Sequence, residues 1–247
     1  MLSDKKVLCV VLARKGSKGI PGKNFRNLLG KPLFLWSVEA GLQSKYVDKI
    51  VVSSNCWECN CKFVDYIMPY KDDPGPIEKL LFQDRPEELS TGTSKNEDAV
   101  IHVLNTIGEE FDVVIQLQPT SPVRLNNLLD RCIEAYNSGD YDSLLTATKD
   151  TPFLWQQIDG KWEYTVDKND CCNRKMRQEF DVDEFVYHDN GCIYITDVDV
   201  MKETECRIGS KPCVFETFGL DSLQIDEEHD FLLIEQTAKV KGLKSLI

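Results

Sequence analysis

The 247-residue chain has no apolar run long enough to cross a bilayer; its opening apolar stretch, Val7 to Leu12, has only six residues. That is also too short for a secretory signal core, so the expectation is a cytoplasmic protein with no membrane partner. Basic residues are outnumbered, 29 Lys+Arg against 41 Asp+Glu, for a formal net charge of −12. A nucleic-acid binder normally carries a basic footprint, so nucleic acid is not an expected partner. An anionic small molecule stays possible, because local cations decide that and not the total. Two phosphate fingerprints are missing, G-x-x-x-x-G-K-[ST] and G-x-G-x-x-G. Zinc ribbons pair two C-x2-C knuckles, but Cys56-x2-Cys59-x-Cys61 has no second knuckle, only Cys171-Cys172 far downstream. In a reducing compartment the ten cysteines read as free thiols. There is no internal repeat and no low-complexity tract, and 42% hydrophobic with 28% charged residues is ordinary for a globular chain.

What is present is an alternation of buried-strand and helix patterns. Strands are expected at Val7 to Leu12, Lys49 to Ser53, Asp112 to Leu117, Ser143 to Ala147 and Cys192 to Thr196. Helices are expected at Pro32 to Leu42, 94 to 107, Asn126 to Asn137 and 227 to 240, the second capped by Ser94 with Glu97 three residues on. Strands separated by helices of this length indicate βαβ units and a mainly parallel, doubly wound α/β sheet. The whole chain, 1–247, reads as one domain. Within it, 152–189 breaks the pattern and reads as an insertion, with a hairpin turning at Asp159-Gly160.

The chemistry concentrates after the first strand, in Ala13-Arg14-Lys15-Gly16-Ser17-Lys18-Gly19-Ile20-Pro21-Gly22-Lys23-Asn24. Arg14, Lys15, Lys18 and Lys23 fall within ten residues, and Gly16, Gly19 and Gly22 punctuate them. Glycine lets backbone N–H groups approach an oxyanion, Arg and Lys neutralise it, and ligands of open α/β sheets sit at strand carboxyl ends. A phosphate-binding loop is the sharper reading; a solvated basic loop is the plainer one.

The ordered set A-R-K-G-S-K-G-I-P-G-K-N, G-K-P-L (Gly30 to Leu33), S-K-Y-V-D-K-I-V-V-S-S (Ser44 to Ser54), R-P-E-E-L (Arg85 to Leu89), Q-L-Q-P-T-S-P (Gln116 to Pro122), N-G-C-I-Y-I (Asn190 to Ile195) and D-S-L-Q-I-D (Asp221 to Asp226) resembles the acylneuraminate cytidylyltransferases. The resemblance covers nearly the whole chain. It implies the nucleotide-diphospho-sugar transferase fold, a homodimer built through the insertion, and Mg²⁺-dependent transfer of CMP from CTP to an acidic nine-carbon-type keto-acid sugar. A different nucleotide or sugar, or an inactive nucleotide-binding homologue, stand as alternatives. Arg14, Lys18 and Asp226 are the implied catalytic residues. Ala13, Arg14, Gly16, Ser17, Lys18, Lys23, Asn24, Arg85 and Asn96 are implied at the nucleotide, and Gln118, Pro119, Thr120, Ser121, Arg177, Gln178 and Asn190 at the sugar. Gln224 stands where the family commonly has the first of two metal-binding aspartates, leaving Asp226 as the main Mg²⁺ ligand and Gln224 as a weak one. If 221–226 is a strand, alternation places Gln224 and Asp226 on one face, with Leu223 and Ile225 in the core. Two more departures are Ser54-Asn55, where an acidic residue is usual, and Gly92, where an aspartate is.

Overall fold

The computed structural model describes residues 5–17, 19–56, 78–164 and 175–242. The all-buried V-L-C-V-V-L run forms β1 (Val7–Leu12) in the interior of a seven-stranded sheet, as expected of a strand covered on both faces. β4 (Lys49–Ser54), β5 (Leu80–Asp84) and β6 (Val113–Leu117) run parallel to it, in the order β5-β4-β1-β6. Beyond β6 lie β10 (Val186–Asp197), β7 (Ser143–Asp150) and β11 (Pro212–Glu216). β10 is antiparallel to both its neighbours, and β11 is parallel to β7. The doubly wound, mainly parallel sheet expected from the sequence is therefore what forms.

α1 (Leu33–Gln43) and α3 (Leu128–Asn137) cover one face, where Val7, Cys9, Val11, Ile115 and Leu117 point. α2 (Asn96–Thr106) and α4 (Val198–Thr204) cover the other, over Leu8, Val10, Leu12 and Val114. A smaller core gathers Ile20, Leu28, Leu33, Val123 and Ile225 under α5 (Glu228–Val240). β2 (Asn27–Leu28) and β3 (Lys31–Pro32) make a short ribbon ahead of α1. Successive strands β1, β4 and β5 step to one side of β1, and the chain then crosses back to β6 on the other. The crevice at the carboxyl ends of β1 and β6 is thus a topological switch point, where ligands of such sheets bind.

Several expectations need correction. The helix expected from 94 begins at Asn96. The Ser94 hydroxyl instead donates to the Glu88 carbonyl (2.8 Å) and bonds Thr91 Oγ1 (2.6 Å), so no capping box forms there. Residues 221–226 are not a strand: a 3-10 turn, Gly219–Ser222, runs into an extended loop. Ile225 is nonetheless buried, with Leu223 packed against the same small core. Cys56 is disulfide-bonded rather than free, whereas Cys9, Cys132, Cys192, Cys206 and Cys213 are free. Cys59, Cys61, Cys171 and Cys172 lie outside the described residues. The Asp159-Gly160 hairpin is present, β8 (Trp155–Ile158) with β9 (Lys161–Tyr164); both turn residues have positive φ, as a two-residue turn of the I′ kind requires. Among the described residues no helix is long and apolar enough to cross a membrane.

Candidate active site

A cavity of about 490 Å³ opens at the switch point. Its walls hold Leu12, Arg14, Ser17, Gly19, Lys23 and Asn24 from the loop after β1, with Arg85 after β5 and Asn96 opening α2. Gln116, Gln118, Pro119 and Thr120 come from β6 and its loop, and Asp226 and Glu227 from the segment entering α5. Ten of the residues expected at the site are among them. Lys18 lies outside the described residues.

The loop after β1 is tied down along its length. The Ala13 N–H continues the ladder to Ser53 O (3.0 Å). The Lys15 N–H donates to Asn55 Oδ1 (2.9 Å), and the Asn24 amide donates to Arg14 O (3.0 Å). Asn55, in the place of the expected acid, thus serves as an anchor for the loop. A Cβ at Gly19 would strike the Asp226 carbonyl, so only glycine allows the loop to approach 225–226 so closely. Lys23, nearly buried, spans the same junction: its Nζ donates to Ile225 O (2.5 Å) and lies 3.2 Å from Asp226 Oδ1.

Arg85 is 6% exposed, and its guanidinium donates to Ser53, Nε to Oγ (3.1 Å) and Nη2 to the carbonyl (2.6 Å). Among the described residues no carboxylate pairs with it. Burial, and secondarily the like charge of Arg14, push its pKa down to about 10. Arg14, half-buried, donates to the Thr91 carbonyl. Two guanidiniums thus face one cavity with no counter-ion among the described residues, an arrangement that favours a ligand bringing negative charge.

On the other side, Arg124 clamps the loop after β6. It donates to Gln118 O (3.0 Å), Cys192 O (2.8 Å) and Ser37 Oγ (3.1 Å). Sequence reasoning passed over this residue. Gln118 Oε1 accepts from Thr120 Oγ1 (3.3 Å) at the cavity wall. Ser121 is buried and reaches only toward Asn190 O (3.5 Å). The Asn190 side chain is consumed by Thr146, Thr148 and Thr217, so it holds β10 to β7 and does not line the cavity. Gly16 is exposed and Ala13 buried, and neither lines the wall. Arg177 and Gln178 are exposed in a 3-10 turn, Arg177–Glu179, and are not among the lining residues.

The expected metal pair is not assembled as a pair. The Gln224 amide nitrogen donates to the Asn190 carbonyl, and a Cβ at Gly191 would collide with it. Asp226 has a side chain 70% exposed at the cavity rim, with Glu227 next to it. No cluster of three or more His, Cys, Asp or Glu suited to a metal occurs among the described residues. One carboxylate at the edge of an anion site is still enough for a Mg²⁺ that takes its remaining ligands from phosphate and water.

The cytidylyltransferase family matches residues 8–172. A CMP-N,N'-diacetyllegionaminic acid synthase of Legionella pneumophila is 30% identical over 94% of this chain and 95% of its own length. An N-acylneuraminate cytidylyltransferase of Escherichia coli is 28% identical over 92% of this chain and 51% of its own length. The chain thus spans about half the length of some curated relatives. A CMP:2-keto-3-deoxy-manno-octonic acid synthetase solved with CTP superposes with a TM-score of 0.64 over 96% of this chain and 99% of its own. At 14% identity that likeness speaks for the fold alone.

Proposed function

The chain belongs to the cytidylyltransferase family, and from that premise we propose that it transfers CMP from CTP to the anomeric hydroxyl of a sialic-acid-like keto-acid sugar. The observation that carries this reading is Arg85, buried beside Arg14 in the switch-point cavity with no carboxylate partner among the described residues. An unneutralised guanidinium pair suits a triphosphate, and the relatives' names supply the cytidylyl group and the sugar class.

In this mechanism the sugar's anomeric oxygen attacks the α-phosphorus in line. The bond from that phosphorus to the β-bridging oxygen breaks, and pyrophosphate leaves. The hydroxyl proton passes to solvent. Little covalent chemistry is asked of the protein; positioning and charge neutralisation do the work. Arg14, with Lys18, neutralises the departing phosphates, while Ser17, Lys23 and Asn24 hold the nucleotide against the loop. Gln118 and Thr120 orient the sugar. Mg²⁺ would be held by Asp226 together with phosphate oxygens, adding positive charge at the leaving group. Lys23 contacts Asp226, so it would link the carboxylate that holds the metal to the nucleotide loop.

A second copy of the chain is the proposed partner. Trp155, Trp162, Met176 and Val182 leave large apolar side chains exposed around the insertion. A partner there would cover them and bring Arg177 near a sugar carboxylate. Sedimentation of the purified protein reads this directly.

The activity is tested by pyrophosphate release from CTP and Mg²⁺ with a panel of keto-acid sugars. Release with one or more of them, and none with UTP, GTP or ATP, is expected. Tight CTP binding without release from any sugar would leave only the inactive-homologue alternative.

A further inference from the structure

Gln116 is the one glutamine in the central V-V-I-Q-L strand, and it is 2% exposed. Neither its amide nitrogen nor its amide oxygen has a hydrogen-bond partner among the described residues, yet it lines the switch-point cavity. An unpaired buried polar group costs the fold roughly 1–3 kcal/mol, so a carboxamide with both ends unpaired is an expensive choice for a packing position. Leucine or methionine of similar volume would fill the same space without that cost.

Its orientation follows from the sheet. Gln116 is in register with Val10 of β1 and Tyr194 of β10. Alternation places it with Val114, on the face covered by α2. Its neighbour in the motif, Gln118, instead lies against Gly191 and shares a bond with Thr120. The two glutamines of Q-L-Q-P-T-S-P therefore serve different parts of the cavity. Leu12, in the core on that same face, and Asn96, which opens α2, line the cavity together with Gln116.

We propose that Gln116 reads the nucleoside of the bound nucleotide, its carboxamide pairing with an adjacent donor and acceptor on cytidine. This deepens the CTP reading and rests on it. A carboxamide offers one donor and one acceptor side by side. The N3/N4 edge of cytosine presents the complementary pair in one plane, in the geometry by which Gln and Asn recognise adenine. The ribose cis-diol presents a second such pair on the same molecule. A trans N-acyl group on a sugar does not, because its N–H and C=O point in opposite directions. The buried carboxamide thus suits the uncharged end of the nucleotide, while the guanidiniums suit its phosphates.

The test pairs ligand binding with stability, using the full chain without sugar, so that no turnover intervenes. CTP is titrated calorimetrically into the wild type and into Gln116→Met, and both are melted without ligand. The expected result is a Gln116→Met protein that melts at or above the wild-type temperature and binds CTP about 10-fold or more weakly, the weight of one good paired contact. With 2′-deoxy-CTP the wild type loses affinity if the cis-diol is read and keeps it if the base edge is. Unchanged CTP affinity in Gln116→Met overturns the proposal while leaving the CTP reading standing. A fall in the melting temperature of Gln116→Met also overturns it, since the amide would then serve the fold. Gln116→Leu repeats the comparison with a different apolar shape. A wild type that binds no CTP overturns the underlying reading and this one together.

Discussion

Among the described residues Lys23, Lys31 and Arg85 are buried cations, and the last two are treated in opposite ways. Lys31, 2% exposed, lies against Glu39 and over the Trp36 ring, with Nζ 3.9 Å from its centroid. Its counter-charge is built into the chain, and it does not line the switch-point cavity. Arg85, nearly as buried, has among the described residues the neutral groups of Ser53 and the like charge of Arg14 beside it and no carboxylate partner, and it does line that cavity. A buried charge with its partner inside the fold is part of the architecture. One without is completed from outside.

Removing each partner should break the comparison most sharply at Lys31. Lys31→Met strands a buried Glu39 carboxylate, for a loss of about 3–5 kcal/mol. In a chain of this size that lowers the melting temperature by roughly 6–20 °C, with the cavity residues untouched. Calorimetric melting checks it, and a wild-type-like melt would mean the pair is not a buried one. The double variant Lys31→Met/Glu39→Leu should recover most of the loss.

Next is Arg14→Ala, whose guanidinium, among the described residues, donates to the Thr91 carbonyl. Turnover should drop roughly 10²–10³-fold, the range for losing one charge-stabilising donor, while the melt stays near wild type. Pyrophosphate release measures it; near-normal rates would remove Arg14 from the leaving-group role. The smallest effect is expected at Asp226→Asn. It keeps the oxygen ligand but removes the charge, so about tenfold more Mg²⁺ should be needed for half-maximal rate, roughly 1.4 kcal/mol. A metal titration of turnover checks this, and an unchanged requirement would exclude Asp226 from the metal site.

How legible this was in the sequence followed burial. The inner strands β1, β4 and β6 announce themselves because both faces are covered and each carries an apolar run, V-L-C-V-V-L, I-V-V and V-V-I. β5 and β11 did not, because they are sheet edges with partly exposed residues and no such run. α4 is seven residues long, too short to show a helical period. The first six residues of β10, Val186 to Gly191, hid its true length because His188, Asp189 and Asn190 break any apolar run there. At the site, the cationic loop and the Gln118-Pro119-Thr120 turn were readable as local clusters. Gln224 and Asn190 were not, because their hydrogen bonds reach residues far along the chain. Gln116 passed as one more strand residue. Its signal was present all the same, since an amide in the middle of a central, fully buried strand has to find a partner somewhere.

The contrast between Lys31 and Arg85 comes down to one measurement, a calorimetric titration of CTP into the wild type and into Arg85→Met, with each protein melted alone. If Arg85 awaits the ligand's charge, Arg85→Met melts within about 1 kcal/mol of wild type, having lost only its bonds to Ser53, and binds CTP at least tenfold more weakly, about 1.4 kcal/mol or more. Equal CTP affinity in the two proteins would contradict the account.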